Sequence, residues 1–386
     1  MKTQIVNANI VLDGEVLEDG VIRFDGGVIE YVGRTRDSGY STVDAEGEYL
    51  LPGFIDIHCH GGNGYDFMDA AVEEMLEISR FHLSHGTTTL VPTTMTDRWE
   101  AIRASLDTFA SIPEDKRLTL HGVHLEGPWL NPLQCGAQSK DKMEKPSLDR
   151  LCSVLSDYPF IERVTLAPEL DTEYEVGRAC ARYGIIASVG HSDADFDTVT
   201  EAVENGYTLM THLYSGMKGT WRESAYRIAG AVEAGLYDDR LYVEVIADGK
   251  HLPNGLLKLI YKCKGADRIA LITDAMRGAG LSAGAEPILG RAADGVATVI
   301  EDGVAKLPDR QSFAGSVATA DRLLRTMLSL GIPVTECSKM LSKTPAAIMG
   351  YTDRGSLEVG KRADVLLLDK KYNIKEIFLK GERYVS

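Results

Sequence analysis

Positive charge is in short supply in this sequence: 41 Lys and Arg stand against 57 Asp and Glu over 386 residues, a formal net charge of −16. That balance excludes a surface built for nucleic acid or an anionic membrane, both of which need clustered Lys and Arg. It leaves room for an anionic small substrate, which a few local cations can hold. Long apolar runs are missing as well, and none approaches the ~20 residues of a membrane-spanning helix. The opening Met1-Lys2-Thr3-Gln4-Ile5-Val6-Asn7 has neither an extended apolar stretch nor a small-residue cleavage pattern. Cysteine is sparse, and Cys59, Cys135, Cys152, Cys180, Cys263 and Cys337 form no C-x-x-C pair. Together these absences predict a soluble, cytoplasmic protein with reduced thiols. There is no internal repeat, no low-complexity tract, and no G-x-G-x-x-G where a dinucleotide fold would carry one.

What is present is an ordinary globular composition, 44% hydrophobic and 25% charged, in two kinds of pattern. Residues 1 to about 50 read as short strands (Gln4–Leu12, Val21–Asp25, Val28–Val32) separated by Asp13-Gly14 and Gly26-Gly27, which are hairpin signals. The last ~35 residues repeat the pattern at Ala363–Asp369 and Ile374–Leu379. Neither end holds enough apolar residues for its own core, so residues 1–50 and 348–386 are expected to meet in one small β-sandwich domain.

Between them, residues 51–347 alternate strand and helix. Predicted helices near Val72–Ser84, Leu148–Leu155, Tyr174–Tyr183, Ala194–Asn205 and Asn254–Lys262 are joined by another that Asp97 opens as an N-cap. The apolar strands begin at Pro52–His60 and Thr87–Pro92, then Leu118–Leu125 and Val164–Ala167. Ile185–Val189, Tyr207–Thr211, Tyr242–Ala247 and Ile269–Thr273 complete the set. Eight apolar strands alternating with helices predict an α/β fold, a closed TIM-like (β/α)8 barrel; a doubly wound open sheet is the alternative.

In such a barrel the C-terminal ends of the strands surround the active site. Those ends carry His58 and His60, Glu126, His191, His212, Asp248 and Asp274. His58 and His60 lie two apart, on one side of an extended strand. Singly, each residue has a plain explanation as a cap, a turn or a hydrogen-bonded core group. Four histidines and three carboxylates gathered at one end of one barrel instead predict a site for a first-row divalent ion such as Zn²⁺ or Fe²⁺. Cys59 alternates away and is excluded as a ligand. His82 and His85 are read as surface or capping residues of a helix, and His121 and His124 as members of the third strand, where His124 shares a face with Glu126 and is either a support behind the ligands or a spare ligand.

Several stretches resemble the amidohydrolase superfamily, and within it the N-acetylglucosamine-6-phosphate deacetylases. They are Pro52–Gly61, His124-Leu125-Glu126-Gly127-Pro128-Trp129-Leu130-Asn131, Gly190-His191-Ser192, Thr211-His212-Leu213-Tyr214, Ile246–His251 and Thr273-Asp274-Ala275. The terminal Gly360–Asp364 resembles the superfamily's return strand. The resemblance implies metal-dependent hydrolysis of the acetamide of N-acetylglucosamine 6-phosphate, giving glucosamine 6-phosphate and acetate. Glu126, His191 and His212 would hold the principal metal and His58 and His60 would allow a second, so one or two ions per subunit, with Zn²⁺ favoured and Fe²⁺ the other candidate. Asp274 would be the catalytic acid/base. Ala137 and Gln138 would touch the sugar, His251 the sugar hydroxyls or the acetyl carbonyl, and Ala314-Gly315-Ser316 would close the pocket.

Ser215-Gly216 stands where the family reads Asn-Ala, at the phosphate region. The phosphate arginine would be Arg222, with Arg227 its rival, reaching into a neighbouring subunit's site and so implying a homodimer. Two other readings stand beside this one. One is a deacetylase for another N-acetylated amino sugar, phosphorylated or not. The other is a barrel that has lost catalysis and serves as a scaffold, against which the full ligand set and Asp274 argue. Cyclic amidases of the superfamily place a lysine between two metals, and no lysine ends a strand here.

Overall fold

The computed structural model describes residues 2–384. Eight parallel strands run in chain order around one sheet: Phe54–Cys59, Thr87–Thr94, Val123–Glu126, Ile161–Leu166, Ile186–Val189, Tyr207–Met210, Tyr242–Val245 and Ile269–Leu271. The circle closes between the last and the first. The Asp274 amide donates to the His58 carbonyl (2.9 Å), Cys59 bridges to Ala275 in parallel, and the Asp56 carboxylate accepts from the Thr273 amide and hydroxyl. The open-sheet alternative is thereby excluded.

The helices pack outside because each has one apolar face. Val72–Ser84 buries Met75, Ile78, Ser79, His82 and Leu83, a 3.6-residue stripe. Leu148–Asp157 starts at Ser147, whose side chain accepts from the Arg150 amide, and Phe196–Glu204 starts at Asp195, which accepts from that of Thr198 (2.9 Å). Asp97 is not a cap. The helix after it runs Trp99–Ser111 from an Arg98 N-cap, and the Asp97 carboxylate takes Lys142 instead (3.0 Å).

Both termini build one eight-stranded sheet. Thr3–Val11 pairs with Val16–Asp25, Ser41–Asp44 and Tyr49–Pro52; Val16–Asp25 carries Val28–Gly33 on its far side, and Tyr49–Pro52 pairs with Val365–Leu368, which continues to Ile374–Leu379 and Glu382–Tyr384. The sheet folds over so that its two ends face one another. Phe24 meets Phe378 edge-on, with ring centroids 5.5 Å apart, and the Ala363 amide donates to the Gly27 carbonyl. Gly27 has φ +83°, and a Cβ there would lie 2.9 Å from the Lys380 carbonyl oxygen, so only glycine fits where the two ends meet. Ile5, Ile10, Ile22, Phe24, Val365 and Phe378 form a core of their own. The sheet runs through Pro52, and the chain crosses to the barrel at Gly53.

Two excursions matter for the mouth. A hairpin (Trp221–Glu223 with Tyr226–Ile228) follows the sixth strand, and two small hairpins between residues 288 and 306 follow the eighth, leading to Gln311–Phe313. No helix among the described residues is long and apolar enough to cross a membrane.

Candidate metal centre and its cavity

His58, His60, Glu126, His191, His212 and Asp274, predicted from five strand ends, converge at the barrel mouth. Glu126 is the hub. Its Oε1 lies 2.8 Å from His212 Nε2 and 3.2 Å from His191 Nε2, and its Oε2 lies 3.2 Å from His60 Nε2. Asp274 Oδ1 sits 3.3 Å from His60 Nε2 and 3.5 Å from His58 Nε2, and these two nitrogens are 3.2 Å apart. All six side chains are buried or nearly so. The backbone bends sharply to deliver three of them: His191 (φ +47°), His212 (+29°) and Asp274 (+47°) adopt left-handed conformations that ordinary side chains rarely occupy.

The tautomers decide what this cluster can do. His60 Nδ1 faces the Thr93 carbonyl (3.2 Å), His191 Nδ1 the Gln134 carbonyl (2.8 Å), and His212 Nδ1 the Ser215 carbonyl (3.2 Å). A carbonyl only accepts, so each Nδ1 carries the hydrogen and each neutral ring turns a bare Nε2 inward. His58 Nδ1 faces the Glu244 carboxylate (3.1 Å) with the same result. Four lone pairs and two carboxylates then point at one another with no donor among them. Such a set calls for positive charge, and imidazole with carboxylate suits a divalent first-row ion whose histidines are oriented through their second nitrogen. His58, Glu126 and His212, and likewise His58, His60 and Asp274, bring one ligand atom each within 4.8 Å of one another.

The electrostatics agree. Burial would lower the pKa of His58, but the Glu244, Glu126 and Asp274 carboxylates outweigh it and raise His58 to about 9. His60 is likewise pushed well above its ordinary value against its burial, by Asp274 and Glu126. Burial would raise Glu126 and Asp274, yet the surrounding imidazoles, His58 foremost, hold both below the usual carboxylate range.

A cavity of about 300 Å³ opens directly onto this cluster. Ala137, Gln138, Ser215, Gly216, His251 and Gly315, the residues expected at the substrate, all line it. Their roles in the wall differ. The Gln138 amide donates to Glu126 Oε2 (2.6 Å) and its oxygen accepts from the Thr96 amide, so this side chain braces the hub. Gly216 has φ +55°, and a Cβ there would come within 2.7 Å of His191 Nδ1. That makes the Ser-Gly pair a steric fit to the ligand ring. His251 Nδ1 is held by Asp248 Oδ2 (2.9 Å), which leaves Nε2 as its free nitrogen, and its ring lies 4.6 Å from that of Phe313 at the rim.

Ala314 and Ser316, expected to close the pocket with Gly315, do not line it. Both are fully buried, and the Ser316 hydroxyl is turned to the Thr273 carbonyl. Arg222 and Arg227 are paired across the exposed hairpin and do not line the chain's own cavity.

The other histidines separate cleanly. His124 is no ligand: its two nitrogens meet the Thr93 and Thr165 hydroxyls (3.2 and 2.7 Å), and burial holds its pKa well below the ordinary value. His82 is neither exposed nor a cap. It is wholly buried against the first strand, its Nε2 3.0 Å from the Gly61 carbonyl and 3.3 Å from Cys59 Sγ, and burial pushes its pKa down to about 4. His121 precedes the third strand, which begins at Val123, and stacks edge-on against Tyr351. His85 is partly exposed and pairs with Asp321 (3.3 Å).

Two residues of the centre were missed from sequence, Arg163 and Glu244, both fully buried behind His58. Glu244 is a lone charge inside an apolar strand, which was the available signal; Arg163 follows Glu162 in its strand and carried none.

The family model described as "Amidohydrolase family" matches residues 49–384. An N-acetylglucosamine-6-phosphate deacetylase of Lysinibacillus sphaericus is 33% identical over 90% of this chain and 88% of its own. An N-acetylgalactosamine-6-phosphate deacetylase of Escherichia coli O157:H7 is 31% identical over 98% and 99%. Among solved structures, a mutant N-acetyl-D-glucosamine-6-phosphate deacetylase of Mycobacterium smegmatis in complex with N-acetyl-D-glucosamine-6-phosphate superposes with TM-score 0.91 at 28% identity, covering all of both chains.

Proposed function

The chain belongs to the amidohydrolase family, and from that premise we propose that it hydrolyses the acetamide of N-acetylglucosamine 6-phosphate to glucosamine 6-phosphate and acetate. One observation carries the chemistry: four imidazole lone pairs and two carboxylates converge, and all of them but His58 line the floor of a cavity of about 300 Å³. Glu126, His191 and His212 would hold the principal ion, and His58 and His60 with Asp274 a second. Zn²⁺ suits this donor set best, with Fe²⁺ the other candidate. A divalent ion supplies Lewis-acid chemistry, acidifying water and polarising an amide carbonyl.

The protein's own residues do the rest. Asp274, held ionised beside His58 and His60, takes the proton of the attacking water as its oxygen bonds to the carbonyl carbon. It then delivers that proton to the amine as the C–N bond breaks. His251, fixed by Asp248, offers Nε2 to the acetamide or a sugar hydroxyl. Arg222 and Arg227 are exposed on a hairpin away from their own cavity, which suits donation of a phosphate-binding guanidinium to a neighbour's site in a homodimer. The free state of all six cysteines suits a cytoplasmic setting.

The C4 epimer is the second reading, because one relative matched over nearly its full length is named for N-acetylgalactosamine 6-phosphate. Acetate release from N-acetylglucosamine 6-phosphate, its galactosamine epimer and unphosphorylated N-acetylglucosamine tests both. The proposal expects the first to turn over fastest and loss of the phosphate to cost most of kcat/KM. Faster turnover of the epimer transfers the assignment to it.

A further inference from the structure

Behind the mouth lies a charged pair that no step of the reaction uses. Glu244, on the seventh strand, and Arg163, on the fourth, are both fully buried inside the barrel and joined Nη1 to Oε1. Arg163 is satisfied on every side: Nε donates to Ser188 Oγ (2.9 Å), Nη2 to Thr211 Oγ1 (3.0 Å), and Nη1 also reaches the Ile57 carbonyl (3.2 Å). The other oxygen of Glu244, Oε2, receives His58 Nδ1 and the His212 backbone amide, each at 3.1 Å. One carboxylate therefore touches two ligand-bearing residues from two different strands, and one guanidinium fixes that carboxylate.

We propose that Glu244, clamped by Arg163, is a positioning residue that sets His58 as a metal ligand and thereby creates the second ion's site. This rests on the metal-hydrolase reading above and goes beyond it, since it concerns how many ions the centre holds. Unlike His60, His191 and His212, whose Nδ1–H groups are pinned by neutral backbone carbonyls, His58 is pinned by an anion. A carboxylate behind an imidazole fixes the tautomer and strengthens the opposite nitrogen as a donor, and loss of such a partner commonly costs 10–100-fold in metal affinity. His58 stands between both prospective sites, 3.7 Å from Glu126 Oε1 and 3.5 Å from Asp274 Oδ1. Burying an ion pair to hold one ring costs desolvation that a Met or Gln pair would avoid, so the fold carries this pair for what it does to His58.

The test is a Zn²⁺ titration of the chelator-treated full-length protein in metal buffers, read as stoichiometry and affinity. Wild type is expected to bind two ions. Glu244→Gln is expected to weaken one of them by at least about tenfold and leave the other within a few-fold, a profile that His58→Asn should reproduce. Because Glu244→Gln strands the Arg163 charge, the double variant Arg163→Met/Glu244→Gln carries the same test without it. Retention of both ions at wild-type affinity in the double variant overturns the inference, as does a wild type that binds a single ion; the hydrolase reading survives either result. A wild type that binds no ion overturns both. Co²⁺ in place of Zn²⁺ gives a visible spectrum in which loss of the His58 ligand is read directly, apart from any turnover.

Discussion

Two polar clusters occupy the same barrel a few ångströms apart, and they are finished to different degrees. In the layer of Arg163, Glu244, Ser188, Thr165 and Thr211, each donor meets an acceptor; the Thr165 and Thr211 hydroxyls, for instance, lie 2.8 Å apart. In the mouth, the four imidazoles and two carboxylates turn lone pairs on one another, and the Gln138 amide is the side-chain donor that reaches them. A protein interior normally pairs its buried polar groups, and the inner layer shows that this fold can. The mouth is thus polar matter arranged for a charge that comes from outside the chain. Its strained backbone at His191, His212 and Asp274 is held against that finished layer, where the His212 amide is bonded to Glu244.

The comparison can be broken at either end. At the mouth, Asp274→Asn should retain metal, measured by elemental analysis, and lose turnover about 10²–10⁴-fold, the span expected for a general acid–base group. Near-normal turnover in that variant would remove Asp274 from its role. In the inner layer, Arg163→Met leaves the Glu244 carboxylate buried without its counter-charge, which should cost about 3–5 kcal/mol of stability. Denaturant unfolding of the metal-free protein reads this directly. A loss below about 1 kcal/mol, the range of an exposed pair, would mean that the layer is less tightly matched than its contacts indicate.

How far the sequence reached follows the same division. The mouth was legible because a strand's C-terminal end is a position that can be counted along the chain. His58, His60, Glu126, His191, His212 and Asp274 each stand where an apolar run stops. Arg163 and Glu244 were not legible in that way, because they sit inside strands and not at their ends, and no pattern of spacing pairs the fourth strand with the seventh. His82 was misread although its periodicity was plain: with Met75, Ile78 and Ser79 it lies on the buried stripe of its helix, and that face packs on the first strand beside Cys59. Asp97 has the chemistry of a cap, but the helix begins beyond it at Trp99 and Lys142 takes its carboxylate. Ala314 and Ser316 flank a residue that does line the cavity, and alternation turns both away from it.

The sharpest form of the comparison is a pH profile, because of the two clusters only the mouth is expected to change its protonation near neutrality; Lys264, lowered by burial to about 8, lies outside both and is common to loaded and chelated protein. In the metal-free protein His58 is raised to about 9, above the ~6.5 of an unfolded imidazole. The folded state then binds more protons than the unfolded one between those values, so stability falls as pH rises across the window. The contribution is fully present below about 6.5 and lost as pH passes about 9, and His60, raised as well, acts in the same direction. The inner layer does not contribute there: Glu244, brought down to about 2 by Arg163 and His58 against its burial, loses its stabilisation only as pH falls below the usual Glu value towards 2. Asp56 and Asp66, raised by burial to about 6, act below the window too. A bound divalent ion takes the lone pairs that those protons would occupy, so the loaded protein should show no such decline. Thermal unfolding at pH 6.5, 8 and 9.5, with and without chelator, isolates the effect, since lysines, tyrosines and thiols that titrate near the upper end are common to both samples. The chelated protein should lose stability relative to the loaded one across this range, and equal slopes would mean that the mouth holds no proton for an ion to displace.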